Sequence, residues 1–257
     1  MLYAGKRVKA ISFDVTGTVL SNAHYGKVYK VAANKTNFLI PPNLSNIDVA
    51  FKLAFKTQIK LSPCYGVQEN ISAREWWRRT VRLTLENCGY HAHQYTDREF
   101  DRFFRHIYQS YGSPQGYEVF PDALRFLERI KYDYPFLSLG VLTNSPMRTI
   151  ETALPIHNIH QYFDWFVCCQ DVGFQKPHPL MFDAAFSECQ RQVPDIQRHE
   201  ILHIGDSVDA DYNGAKSAGF QSIILNRGGK TIPTAMNCGA EHVVLDLDEA
   251  AQALTLG

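Results

Sequence analysis

Asp14, Thr143, Asn144, Lys176, Asp206 and Asp211 are the residues whose types and spacing could do chemistry together. Asp14 closes the apolar run V-K-A-I-S-F and leads into Thr16-Gly17-Thr18. Thr143-Asn144 follows LSLGVL, and Gly205-Asp206-Ser207 follows a run ending at Ile204, with Asp211 five residues beyond Asp206. Lys176 sits in G-F-Q-K-P-H-P. An open α/β sheet binds its ligand at the carboxyl ends of its strands, and these are strand exits. Asp14 and Asp206 could hold a hard divalent cation through oxygen. Thr143 and Lys176 could hold phosphoryl oxygens, and Asp14 could attack phosphorus as a carboxylate nucleophile. Singly, an Asp at a strand end is an ordinary turn or cap residue, and a Lys before Pro is an ordinary solvated one. The conjunction, in this order and at these exits, carries the reading.

The elements that must position these residues can be read from periodicity and punctuation. Strands are predicted over 8–13, 137–142, 163–168, 200–204, 221–225 and 242–245, alternating with helices over 122–131, from about 147 to 154, 179–189 and 211–218. Between the first strand and the rest, residues 20–113 read as helical. One helix is expected over 24–37 and another after a cap at Asn43 or Ser45, running to about Lys60. Ser72 with Glu75 and Thr96 with Glu99 are capping boxes opening two more. Apolar strands alternating with helices imply a parallel sheet covered on both faces. The expected fold is α/β, a doubly wound, mostly parallel sheet with an all-helical cap domain inserted after the first strand. The core would be discontinuous, 1–19 with 114–257, and the cap 20–113.

Composition narrows the class. The 257 residues carry 26 Lys+Arg and 26 Asp+Glu, a formal net charge of zero, with 45% hydrophobic residues. A dominantly disordered chain would need the opposite balance, and a dedicated nucleic-acid binder a basic excess. No apolar stretch reaches membrane-span length, and no signal-peptide core precedes the first charges. Six scattered cysteines without a C-x-x-C pair are read as free thiols of a reducing compartment, so a cytoplasmic location is expected.

The motif set resembles the haloacid dehalogenase superfamily, mostly phosphatases and phosphotransferases. The matching strings are Asp14-Val15-Thr16-Gly17-Thr18, Thr143-Asn144, Lys176-Pro177, Gly205-Asp206-Ser207 through Asp211, then Gly214-Ala215 and Ala218-Gly219. Arg74-Glu75-Trp76-Trp77 and Asp211-Tyr212 are similar to a eukaryotic branch of that superfamily. The resemblance implies Mg²⁺ held by Asp14, the Thr16 carbonyl and Asp206, with Asp211 acting through water or orienting the others. It implies Asp14 as nucleophile through an aspartyl-phosphate, Thr143 and Asn144 on the phosphoryl group, and Lys176 neutralising charge around a small phosphorylated substrate. Asp209 competes with Asp211 as the second carboxylate; the start of D-Y-N-G-A-K favours Asp211.

One departure matters. The superfamily's phosphatases usually carry a second Asp two positions after the nucleophile, as general acid and base. Here that position is Thr16, and losing a general acid costs about 10²- to 10⁴-fold in rate. D-x-T-G-T also resembles the phosphorylation motif of P-type ion pumps, but no membrane span accompanies it. Three readings follow: a weak Mg²⁺-dependent phosphatase or phosphotransferase, a dehalogenase or phosphonatase, and a binding or regulatory protein that keeps the fold. A phosphonatase would draw a lysine from the insertion, where Lys27, Lys30, Lys35, Lys52, Lys56 and Lys60 lie. His91 and His93 lack a visible third ligand, the Arg74, Arg78, Arg79, Arg82 cluster reads as a solvated face, and one of Trp76 and Trp77 is expected in the core.

Overall fold

The computed structural model describes residues 1–39, 46–229, 239 and 242–255. The chain opens with a reversal. Leu2–Tyr3 (β1) runs antiparallel to Lys6–Arg7 (β2), turning through Ala4 and Gly5 at φ of 47° and 72°. Strands of two residues carry no readable alternation, so the sequence does not announce them. The Val8 amide bonds to the Met1 carbonyl at 2.8 Å, which is why the first long strand starts late, at Ala10–Phe13 (β3). All four of its residues are buried, the mark of a strand covered on both faces. After Asp14 the chain winds one tight turn, with the Val19 and Leu20 amides both returning to the Val15 carbonyl, at 2.8 and 2.9 Å. Leu20–Asn22 (β4) follows.

Two units result, Met1–Ser21 with Val119–Gly257, and Asn22–Glu118. The second holds Tyr25–Thr36 (α1), Ile47–Leu61 (α2), Ala73–Asn87 (α3) and Asp97–Ser110 (α4). Both predicted caps open helices, but only Thr96 with Glu99 closes the reciprocal box; the Glu75 carboxylate accepts from Arg79 instead. Ser72 Oγ accepts the Glu75 amide at 3.1 Å, and Thr96 and Glu99 satisfy each other's amides at 3.3 and 2.8 Å, each cap contributing about 1 kcal/mol. The two candidate caps of α2, Asn43 and Ser45, lie outside the described residues. The unit's core joins Tyr29, Ile47, Leu85, Phe100, Phe103 and Phe104. Trp76 is fully buried, its indole N–H donating to the Ser62 carbonyl at 2.7 Å, while Trp77 is half-buried. Three of the arginines are paired: Arg78 and Arg82 reach Asp101 and Asp97 and lie over the Phe100 ring, and Arg79 reaches Glu75. Tyr117–Val119 (β5) pairs with β4 where the chain returns.

The other unit continues with Pro121–Asp133 (α5), Ser138–Thr143 (β6), a wide π-helical turn over Thr149–Ala153 into Leu154–Ile156 (α6), and Trp165–Cys168 (β7). Next come Cys169–Val172 (α7), Pro179–Gln192 (α8), Ile201–Gly205 (β8), Gly214–Ser217 (α9) and Gln221–Leu225 (β9). Val243–Val244 (β10), Leu247–Ala253 (α10) and Leu254–Thr255 (β11) close the chain, β11 pairing with β1. The main sheet runs β10-β9-β8-β3-β6-β7 with every pairing parallel. From β3 the chain steps outward through β6 and β7, then crosses back to β8 on the other flank. That reversal of winding opens a crevice at the carboxyl end of β3, where ligands bind in doubly wound sheets.

One local start and one helix face differ from what residue type suggests. The winding after Gly205 begins at Val208, not 211, as a π-helical turn over Val208–Asn213. Ser207 explains it: its Oγ caps the Ala210 amide at 3.2 Å, and its carbonyl takes the Tyr212 amide, five residues on. In α2, Val49 and Leu53 point outward and stay exposed, because Ile47, Ala50, Phe51, Ala54 and Gln58 form the buried face. Among the described cysteines none is bonded to another, and Cys64, Cys168, Cys169 and Cys189 are buried; Cys238 lies outside the described residues.

Candidate active site

Asp14 leaves β3 at the winding reversal. Its Oδ1 accepts from the Thr143 hydroxyl at 2.9 Å and from Lys176 Nζ at 3.0 Å. Thr143 ends the neighbouring strand β6, so strand pairing alone sets two of these three groups side by side. Lys176 comes from the loop before α8 and is buried. All three of its ammonium donors are used, on Asp14 Oδ1, on Asp211 Oδ1 at 2.6 Å and on the Leu142 carbonyl at 2.6 Å. The Asn144 side chain spends both amide ends on the Lys176 main chain, accepting its N–H at 2.7 Å and donating to its carbonyl at 3.1 Å. Asn144 therefore aims the lysine rather than pointing its own amide into the crevice. The Thr143 hydroxyl also accepts the Ser145 amide at 3.0 Å, and Ser145 Oγ meets the Thr16 hydroxyl at 2.9 Å.

Asp206 follows β8, the other neighbour of β3. Asp14, Asp206 and Asp211 each offer an oxygen within 4.8 Å of the others. Asp209 stays outside this group, exposed and bonded to Asn213, so the second carboxylate of the motif is Asp211. Two glycines make room. A Cβ on Gly17, at φ +92°, would lie 2.3 Å from Asp206 Oδ2, and a Cβ on Gly205 would lie 2.2 Å from the Asp211 carboxyl carbon.

A buried histidine completes the arrangement, and the motif reading missed it. His203 Nδ1 lies 2.8 Å from Ser12 Oγ, and its Nε2 lies 3.1 Å from Asp211 Oδ1. Burial, then the positive charge of Lys176, holds its pKa below the usual value. The ring is therefore neutral. Asp211 can only accept, so Nε2 carries the proton and Nδ1 accepts from the Ser12 hydroxyl. Ser12, His203 and Asp211 have the connectivity of a hydrolytic triad, but both Ser12 and His203 are fully inaccessible. The line instead orients Asp211, and through it Lys176. Its one visible trace in the sequence is a Ser and a His inside otherwise apolar strands.

The charges follow from this packing. Burial, and then the negative charge of Asp211, lifts the Asp14 carboxyl above its ordinary range, with Lys176 and Thr143 working the other way. Burial opposes ionisation of Asp211 too, but Lys176 and His203 outweigh it and hold that carboxyl well below the usual range. Burial would lower Lys176, but Asp14 and Asp211 overcome this and raise it. Asp206 keeps an exposed face, but protein crowds its carboxyl. That loss of water, then the charges of Asp14 and Asp211, push it up to about 7.

A haloacid dehalogenase-like hydrolase family model matches residues 8–219. The chain belongs to the haloacid dehalogenase-like hydrolase family. Haloacid dehalogenase-like hydrolase domain-containing protein 3 of Danio rerio is 28% identical over 245 residues, covering 94% of each chain. The human protein of that name is 23% identical over 220 residues, 85% of this chain and 82% of that one. A crystal structure of a hydrolase of the family from Bacillus subtilis, bound to magnesium, matches the fold with a TM-score of 0.67 at 19% identity, over 96% and 98% of the two chains. L-2-haloacid dehalogenase from Xanthobacter autotrophicus matches with a TM-score of 0.64 at 18% identity, over 95% and 97%. Among the described residues, no helix is long and apolar enough to cross a membrane.

A divalent cation is typical of the family, and this chain's residues fit one. Three hard carboxylates converge, and at Asp206 the negative charges of Asp14 and Asp211 add to the loss of water and together outweigh the attraction of Lys176. Asp211 Oδ1 already accepts from Lys176 and His203, and Oδ2 accepts the Ser207 amide at 2.8 Å, leaving Asp211 little capacity for direct ligation. In metal-free buffer the Asp206 shift has a definite sign. Between the ordinary 3.8 and about 7, the folded protein holds a proton that the unfolded chain has released. This group therefore removes stability as pH rises through that window. The metal-free thermal midpoint is expected to rise in Asp206→Asn at pH 8. Mg²⁺ is expected to raise the wild-type midpoint and to leave that variant's nearly unmoved. Equal Mg²⁺ responses in the two proteins would remove Asp206 from the site.

Proposed function

We propose that the protein is a Mg²⁺-dependent phosphatase or phosphotransferase that works through a phosphorylated Asp14 on a small phosphorylated substrate. The observation carrying this reading is the state of the Asp14 carboxylate. Both hydrogen bonds, from Thr143 and from Lys176, fall on Oδ1, which leaves Oδ2 to attack phosphorus. Lys176 offsets the charge gathering on the carboxylate and on the transferring group, and loose phosphoryl transfer needs mainly such placement and electrostatics. Asp14, the Thr16 carbonyl and Asp206 would hold Mg²⁺, with Asp211 orienting a ligand water. The ion, when bound, supplies positive charge to the phosphoryl oxygens. The helical unit is read as a cap that selects the substrate, and a screen of phosphorylated metabolites with and without Mg²⁺ would find it. Release of halide from haloacids is the weaker alternative, because a dehalogenase has no use for the acidic cluster.

Thr16 sets the leaving group this site can expel. Its hydroxyl is not an acid near neutral pH, so the leaving oxygen departs without a proton from this position. Aryl and acyl phosphates tolerate that, whereas alkyl phosphates do not. Wild type is expected to hydrolyse p-nitrophenyl phosphate slowly, only with Mg²⁺, and sugar phosphates barely. In Thr16→Asp the Ser145 hydroxyl, now 2.9 Å from Thr16 Oγ1, would donate to the new carboxylate. A gain of about tenfold on an alkyl phosphate, 1.4 kcal/mol of barrier, is expected. Brisk wild-type hydrolysis of the alkyl ester would refute the role given to Thr16. Absence of Mg²⁺-dependent turnover in both proteins would point to a binding protein instead.

A further inference from the structure

We propose that Arg227 is a positioning residue: it clamps the turn after the nucleophile to the point where the chain re-enters the α/β unit, and so fixes Gly17 against Asp206. Arg227 stands two residues beyond β9, far in sequence from every motif above. Its fork donates to Asp122 Oδ1 at 2.9 Å and to the Thr18 carbonyl at 2.8 Å. The guanidinium carbon lies 3.8 Å from the centre of the Phe120 ring. Asp122 is itself anchored, its Oδ2 taking the Leu247 amide at 2.8 Å. The Phe120 amide donates to the Val19 carbonyl at 3.1 Å. Thus one side chain grips the outgoing segment at Thr18 and the returning segment at Phe120 and Asp122.

The grip reaches the candidate site through one residue. Thr18 is fully buried, so its carbonyl depends on this donor; a buried acceptor left unmade costs about 1–3 kcal/mol. Gly17 precedes it, so close to the Asp206 carboxylate that no Cβ fits between them. A drift of Thr18 therefore moves Gly17 and the Thr16 carbonyl relative to Asp206. Lysine cannot substitute. It is one point charge without the planar fork that spans two acceptors while stacking on a ring. The Arg227 Nε–H has no partner within the described residues, so the guanidinium is held by its placement on these two segments, not by saturation of its donors.

The kinetic consequence rests on the phosphoryl-transfer reading; the structural one does not. The test uses the full chain with Arg227→Met, Arg227→Lys and the milder Asp122→Asn, which keeps the fork but weakens its anchor. Amide hydrogen exchange, Mg²⁺ affinity by calorimetry, and kcat and KM on p-nitrophenyl phosphate are measured for each. Exchange at Val19, Leu20 and Phe120 is expected to speed up about tenfold or more while β3 keeps wild-type protection, the signature of a local opening. Mg²⁺ is expected to bind about tenfold more weakly and kcat to fall by a similar factor with KM little changed, a loss confined to the transition state. Lysine should not rescue, and Asp122→Asn should show the same changes at smaller size. Wild-type exchange at those three amides with wild-type Mg²⁺ affinity in a folded variant overturns the proposal, as does full rescue by lysine. If wild type turns over no phosphate ester, the functional reading fails, while exchange and Mg²⁺ affinity still decide the clamp.

Discussion

Asp14→Asn is expected to abolish Mg²⁺-dependent turnover and to leave the metal-free protein at least as stable as wild type. The amide keeps the shape of the carboxylate, and its Oδ1 can still accept from Thr143 and Lys176. What disappears is the proposed nucleophile, and removing a nucleophile elsewhere has cost on the order of 10⁶-fold. The stability sign follows from the carboxyl's environment. Burial and the charge of Asp211 lift it above its unfolded value, so between the two values the folded protein binds more protons. Ionisation of Asp14 at neutral pH therefore works against folding. A neutral isostere removes that penalty and gives up part of the attraction to Lys176. Calorimetry at pH 7.5 without metal, beside an aryl phosphatase assay, reads both quantities. Retention of more than about a hundredth of the wild-type rate would rule out Asp14 as the nucleophile.

Lys176→Met should lose in both assays. The ammonium is the shared cation of two buried carboxylates and the partner of a strand carbonyl. Removing one member of a buried ion pair costs about 3–5 kcal/mol, because the remaining charge is left without compensation. For a chain of this size that corresponds to a fall of roughly 6–20 °C in thermal midpoint. The deficit should depend on pH. Asp211 owes its lowered pKa to Lys176 and His203, against burial; without the lysine, burial acts on both carboxylates with far less opposition. Their pKa values then rise, and the variant loses stability relative to wild type as pH climbs from about 4 towards 8. A midpoint difference that is flat across this range would mean that the lysine contributes packing and not charge.

Much of this arrangement was legible before any coordinates. Asp14, Thr143 and Asp206 each sit at the end of a strand-like run, and a parallel sheet brings such ends to one edge; Lys176 and Asp211 reach the same place from the segments that follow β7 and β8. The caps at Ser72 and Thr96 were equally plain, because a cap is a local bargain between a side chain and a nearby amide. Asn144 shows where motif reading stops. Its type suggested contact with a phosphoryl group, but the direction of an amide depends on a loop 32 residues away. Ser12 and His203 went unread because they stand inside strands, where alternation says only that a residue is interior. Arg227 was invisible for another reason: its partners are 209 and 105 residues distant in the chain. Val49 and Leu53 are apolar yet exposed, so apolar type alone does not mark the buried face of α2.

The order in which the sheet's strands leave the ribosome bears on how the molecule is born. The sheet's central strand, β3, is made first, but its partners arrive much later: Ala10 pairs with Ser138 on one flank and Ile201 on the other. Asn22–Glu118, in contrast, is one uninterrupted stretch whose helices find their partners within its own length, α2 with α3 and α1 with α4. Segments with local contacts assemble quickly, whereas long-range parallel pairing is slow. During synthesis the helical unit can therefore complete itself while β3 waits with both edges unpaired, a nascent chain exposed to wrong strand partners. The strand that leads into Asp14 is synthesised among the first and sealed among the last.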